Sequence, residues 1–194
     1  PFKLEKWIKE QEIILVPNDR YYKGRPHLDR VIFKKYNDQS AELSALEAGE
    51  IDVVPSIPFK DVERIRKLPS VNVLIYSGKG YDYIGWNPRS EFFSNKNLRQ
   101  ALTMAIDRQA IVDGLLYGMG DIAVSCKNPL LWAFNKNLKP WAYDPETAKS
   151  MLQEEGWKDS DGDGWIDKNG KPFKFSLKTN AANKLRRDMA IVIQ

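Results

Sequence analysis

Arg99-Gln100-Ala101-Leu102-Thr103-Met104-Ala105-Ile106-Asp107-Arg108 is the stretch on which the reading of this chain turns. Leu98, Ala101, Leu102, Ala105 and Ile106 follow the i, i+3, i+4 spacing that puts apolar side chains on one face of a helix. Asp107 then offers a side-chain oxygen to a second helix, which carries Ile111, Val112, Leu115 and Leu116 and stops at Gly118. Two short helices joined by one capping aspartate define a helical block with a single buried face.

The pattern changes on either side of that block. Upstream, three runs read as half-buried strands: Phe2, Leu4 and Trp7; residues 12–16, ended by Pro17-Asn18-Asp19; and residues 28–36 around Val31-Ile32-Phe33. Asp38 and Ser40 can cap a helix whose apolar face is Leu43 and Leu46. Gly49 sits where that helix needs a left-handed terminal residue. Residues 51–54 and 71–76 read as strands around a short helix over 58–68. Gly78-Lys79-Gly80 is the expected boundary, and residues 81–86 are expected as a strand beyond it. Downstream, residues 121–143 are irregular, with Pro129 and Pro140. Asp144 as N-cap, Pro145 at the first helical position and Gly156 past the end bracket another helix. Residues 171–178 read as a strand, and a last helix starts near Ala182.

The totals narrow the function classes. A chain of 194 residues can bury one sizeable core or two small ones. Its longest apolar run, Ile13-Ile14-Leu15-Val16, is strand-sized and cannot cross a bilayer. The net charge of +4 comes from 30 basic and 26 acidic residues that are interspersed, whereas nucleic-acid binding needs basic residues clustered. The best cluster, Lys184-Leu185-Arg186-Arg187, is short. One cysteine, Cys126, excludes an internal disulfide. Both ends read as cut: Pro1 is no initiator, and Gln194 falls inside a helical pattern.

Several landmarks occur in a fixed order: Ala48-Gly49-Glu50-Ile51-Asp52, Tyr81-Asp82-Tyr83-Ile84-Gly85-Trp86-Asn87, the Arg99 to Arg108 block, Tyr143-Asp144-Pro145-Glu146, Glu155-Gly156-Trp157, and Asp159-Ser160-Asp161-Gly162-Asp163-Gly164. Together they resemble the extracellular solute-binding proteins of oligopeptide and dipeptide ABC transporters. The resemblance implies an α/β fold of mixed α+β character, part of a two-lobed periplasmic-binding-protein-like architecture with mixed sheets flanked by helices. Residues 1–80 would be the middle portion of the first lobe and residues 81–194 the beginning of the second, truncated. It also implies a peptide ligand, permease partners, no nucleic acid and no catalysis. The expected location is periplasmic or extracellular, with membrane association only through the permease or a lipid anchor outside this span.

In that family the strand matching residues 81–87 runs beside the ligand cleft, and alternate residues reach the ligand. Here that points to Tyr83 and Gly85, with Tyr81 on the same face. A tyrosine offers a rigid apolar ring and a hydroxyl that can bond a peptide backbone, though it serves equally well as a core aromatic. The turn Pro55-Ser56-Ile57-Pro58 resembles a cleft-lining segment, so Ser56 is a candidate ligand contact, or a turn or helix cap. Arg99, Asp107 and Arg108 are expected as caps and ion pairs around the helices rather than as ligand contacts. Cys126-Lys127-Asn128-Pro129 departs from the family's small, proline-rich wording and receives no ligand role.

Asp159, Asp161 and Asp163 alternate, with Gly164 next and with Trp165 and Asp167 at the seventh and ninth positions. This is the front half of an EF-hand-type loop, in which closely spaced carboxylates present hard oxygens to one centre. The twelfth position is Gly170, where such loops carry a bidentate glutamate. The alternatives are a weak structural calcium site and an ion-free polar turn; no other cofactor is expected.

Other functions compete. The acidic residues permit a carboxylate-dependent hydrolase, but nothing singles out a catalytic pair. The sole histidine, His27, lies in a loop-like context. No glycine-rich phosphate loop, nucleophile elbow or zinc spacing occurs. Within the binding-protein reading, a sugar or a nickel complex are the alternative ligands.

Overall fold

The computed structural model describes residues 1–194 apart from Ser77 and Lys79, and separates them into two units, Pro1–Val73 and Leu74–Gln194. The division falls a few residues before the expected boundary, whose Lys79 lies outside the described residues.

The first unit begins with an antiparallel meander of β1 (Phe2–Ile8), β2 (Glu12–Pro17) and β3 (Val31–Lys34). Glu10, at φ 62°, closes the first hairpin, and the Gln11 amide donates back to the Ile8 carbonyl at 3.1 Å. The register slips between Leu4 and Lys6, leaving Glu5 as the extra residue of a bulge, and its carboxylate pairs with Arg30 at 3.3 Å. The pairing aligns Leu4 with Leu15 and Val31, and Trp7 with Ile13 and Phe33. Because residues directly opposite share a face, these six apolar side chains form one stripe. Leu4, Trp7 and Phe33 on it are exposed.

The core of this unit lies between its helices. Asp38 caps α1 (Gln39–Glu47) by accepting from the Ala41 amide at 3.1 Å. Gly49, at φ 72°, reverses the chain, with amides of Gly49 and Glu50 returning to the Leu46 and Ala45 carbonyls. A 3-10 turn (Phe59–Asp61) leads into α2 (Val62–Arg66). Leu43, Leu46 and Ile65 are buried together, with Ile51, Val54 and Val73 among the side chains packed on them.

The second unit is organised by α3 (Lys96–Met104), α4 (Arg108–Leu115), α5 (Pro145–Glu154) and α6 (Lys184–Ile193). Ala101 of α3 and Ala148 of α5 are both buried with Met104, so small side chains allow close approach of the two helices. The caps are as expected: Asp107 accepts from the Ala110 amide at 2.8 Å, and Asp144 from the Thr147 amide at 2.9 Å, with Pro145 opening α5. Gly156, at φ 85°, ends that segment. A short hairpin of β4 (Asp167–Lys168) and β5 (Lys171–Pro172) follows. Trp86, Phe92, Phe93, Trp157, Phe173 and Phe175 form an aromatic cluster with adjacent ring centroids 4.8 to 6.5 Å apart.

Four expected strands differ. Residues 51–54, 71–76 and 81–86 join no ladder, and the expected strand over 171–178 is paired only at Lys171 and Pro172. The reason is the same in each case. Alternation of side chains records which residues need burial, but a strand also needs a neighbour to accept its backbone bonds. None of the described residues supplies that neighbour, and both ladders present are antiparallel.

Candidate functional site

Residues 83–86 keep a period of two without a ladder, and Asp82 ahead of them is exposed. Tyr81, Tyr83 and Gly85 are exposed, whereas Ile84 and Trp86 are partly buried. Trp86 is drawn into the aromatic cluster, with its ring 5.0 Å from that of Phe93. The Tyr81 and Tyr83 rings lie 5.6 Å apart on the outer side, 45% and 77% exposed. Within this chain Tyr83 packs in neither buried cluster. Gly85 lies beneath the Tyr83 ring: a Cβ there would stand 3.4 Å from Cε2, in ordinary contact. The structure thus brings Tyr81, Tyr83 and Gly85 together as one outward face.

Ser56 belongs to the first unit and is exposed. It does not cap the following helix, because Pro58 occupies that position and no side chain bonds the turn.

The charged residues of the helical block are structural, with one correction. Asp107 is an N-cap. Arg99 and Arg108 were expected in ion pairs, but they bond carbonyls: Arg99 donates to those of Phe93 and Ser94 at 2.6 and 3.0 Å, and Arg108 to that of Trp141. Turns and irregular segments leave carbonyls without backbone partners, and a guanidinium with several donors serves them directly. His27 is exposed. The basic cluster on α6 is engaged within the chain: Lys184 with Asp188, Arg186 with Asp82, and Arg187 with the Ala181 carbonyl.

In the aspartate loop the carboxylates of Asp159, Asp161 and Asp163 can each place an oxygen within 4.8 Å of the others. They also hold the loop itself. Asp159 accepts from the amides of Gly162 and Gly164 at 2.7 and 3.0 Å, Asp161 from that of Asp163, and Asp163 from that of Trp165 at 2.8 Å. Asp167 is turned away, accepting from the Ser160 hydroxyl and amide at 2.6 and 3.0 Å, and these bonds hold its carboxyl below the usual carboxylate range. Trp165 is exposed. The donor set therefore comprises three carboxylates, with the ninth position diverted and no side chain at the twelfth.

A groove of about 480 Å³ lies elsewhere on this unit, lined by Glu91, Asn95, Glu155, Trp157, Lys168 and Lys171. Its charged groups all have partners within the groove or beside it. Glu155 accepts from the side-chain amides of Asn95 and Asn97, both at 2.6 Å, and Lys171 pairs with Glu91.

Two residues escaped the reading of the sequence. Asn128 Nδ2 donates to the Gly78 carbonyl at 2.9 Å, and Arg186 Nε donates to Asp82 Oδ1 at 2.6 Å. Both act across 50 residues or more, and no local pattern signals such a contact.

The chain belongs to the bacterial extracellular solute-binding proteins, family 5, whose middle-region model matches residues 1–194. It is 44% identical to the oligopeptide-binding protein AppA of Bacillus subtilis over its whole length, which is 36% of that protein's. The structure of that AppA in complex with a nonapeptide aligns over the whole chain and 39% of its own, with a TM-score of 0.77 and 42% identity. NikA from Brucella suis in complex with Fe(III)-EDTA aligns over the whole chain and 40% of its own, with a TM-score of 0.92 and 25% identity. The chain thus spans little more than a third of these relatives, and its mixed helix and sheet structure is a portion of the periplasmic-binding-protein-like fold.

Proposed function

We propose that the protein is the substrate-binding component of an ABC importer and captures peptides outside the cytoplasmic membrane for delivery to a permease. The observation that carries this reading is the outward face of Tyr81 and Tyr83, set on a segment free of ladder bonds in a chain 44% identical to an oligopeptide-binding protein. Two adjacent rings with free edges and hydroxyls suit a ligand whose backbone is polar and whose side chains vary. Tyr83 and Tyr81 are the proposed contacts, with Gly85 keeping the surface low beside them. Ser56 is a proposed contact from the first unit. An extracytoplasmic location fits the family. Among the described residues, no helix is long and apolar enough to cross a membrane.

The same reading makes the protein a binder rather than a catalyst. A chelated metal is the second reading, favoured by the TM-score of 0.92 to NikA with Fe(III)-EDTA. Mass spectrometry of small molecules retained by the full-length protein, purified gently from its native host, separates the two. Co-purified peptides are expected. A metal complex or a sugar would replace the ligand class, and an empty protein that turns over a hydrolase substrate panel would overturn the assignment.

A further inference from the structure

We infer that Asn169 is a site of spontaneous covalent ageing, at which the Gly170 amide nitrogen closes on the Asn169 side chain and converts it to aspartate and isoaspartate. The reaction needs no ligand and stands apart from what the protein binds.

Three dipeptides within ten residues have the composition for this chemistry: Asp161-Gly162, Asp163-Gly164 and Asn169-Gly170. In each, a glycine nitrogen unshielded by a Cβ follows a short side-chain carbonyl. Their hydrogen bonds separate them. The Gly162 and Gly164 amides both donate to the Asp159 carboxylate, at 2.7 and 3.0 Å. An amide held by a carboxylate keeps its proton and is a poor nucleophile. The Gly170 amide faces Asp167 instead, whose carboxylate is already bonded to the Ser160 hydroxyl and amide at 2.6 and 3.0 Å.

Asn169 and Gly170 form the two-residue loop between Lys168 and Lys171, at φ 54° and 73°. Both values are positive, as a type I′ hairpin turn requires. Asn169 is exposed, and a Cβ added at Gly170 would meet nothing within 4 Å. Loop tips of this kind open locally at little cost, which lets the nitrogen reach the side chain.

The Gly170 nitrogen gives its proton to solvent and bonds to Asn169 Cγ, while the Cγ–Nδ2 bond breaks and ammonia leaves. Water then opens the cyclic imide. Cleavage at Cγ leaves aspartate. Cleavage at the main-chain carbonyl leaves isoaspartate, with an additional carbon in the main chain. That carbon lengthens a loop whose two residues set the pairing of Lys168 with Lys171. Lys168 Nζ bonds the Glu155 carbonyl at 2.6 Å, and the Phe173 ring lies 4.8 Å from that of Trp157, so the change reaches the end of α5.

The test incubates the full-length protein for weeks at mildly alkaline pH and maps its peptides by mass spectrometry, with Asn169→Asp as the standard for the aspartate product. Conversion at Asn169 is expected to run roughly tenfold ahead of every other asparagine, none of which is followed by glycine. In Asp159→Ala the isomerisation of Asp161 and Asp163 should rise about fivefold over wild type, the contribution of one hydrogen bond. An Asn169 that stays intact, or conversion spread evenly over the asparagines, would overturn the site. Unchanged isomerisation in Asp159→Ala would overturn the protection assigned to that carboxylate.

Discussion

Glu155 shows how a single side chain couples two helices. It ends α5, yet its carboxylate accepts from Asn95, the N-cap of α3, and from Asn97 in that helix's first turn. A negative charge at a helix N-terminus is favourable in its own right. The bonds from Asn97 and Asn95, with help from Lys168, hold the Glu155 carboxyl below its ordinary range. A carboxyl whose value is depressed in the folded state stabilises the fold above its unfolded value, and that contribution is lost as pH falls through the folded one. Glu155→Gln should therefore melt below wild type at pH 7, and the gap should close as pH falls below about 4. Melting curves across pH check this; a gap that persists in acid would show that shape and not charge is what matters. At this scale the sequence was informative where a residue acts on its immediate neighbours. Asp38, Asp107 and Asp144 were legible as caps because their partners lie within three residues. Arg186 and Asn128 were not, because nothing near them in sequence names Asp82 or Gly78.

At the scale of elements, helices were readable and most single strands were not. A helix closes its hydrogen bonds within itself, so periodicity plus caps is nearly sufficient. A strand closes them with another segment, which sequence alternation does not identify. Residues 71–76 and 81–86 carry strand-like patterns without a ladder, while β1, β2 and β3 pair because each follows the last in sequence and returns antiparallel beside it. The packing of α3 on α5 gives a sharper test. Ala101 and Ala148 are 0% and 2% exposed, leaving no room for a longer side chain. Ala148→Leu should destabilise the protein by about 1–3 kcal/mol, the usual penalty for forcing methylenes into a filled core. Chemical denaturation measures this directly; a variant as stable as wild type would mean that the two helices can move apart at little cost.

At the scale of the whole molecule, the family was legible because its landmarks are spread along the chain, and their order carries more information than any one of them. What stayed hidden was how much apolar surface the chain leaves uncovered. The stripe of Leu4, Trp7 and Phe33 across β1 and β3 is exposed, with Trp7 at 67%. Contiguous apolar surface of this kind promotes association. The 194-residue chain on its own is expected to gain mass with concentration in light scattering, and Trp7→Lys with Phe33→Lys to abolish the gain. A wild-type chain that stays monomeric would refute this. The caps described above have a different consequence, for how such a protein diversifies. Asp38, Asp107 and Asp144 each accept from an amide three residues on, so each helix start is written within its own short stretch. The segments between the helices can therefore change in sequence without moving the points at which the helices begin.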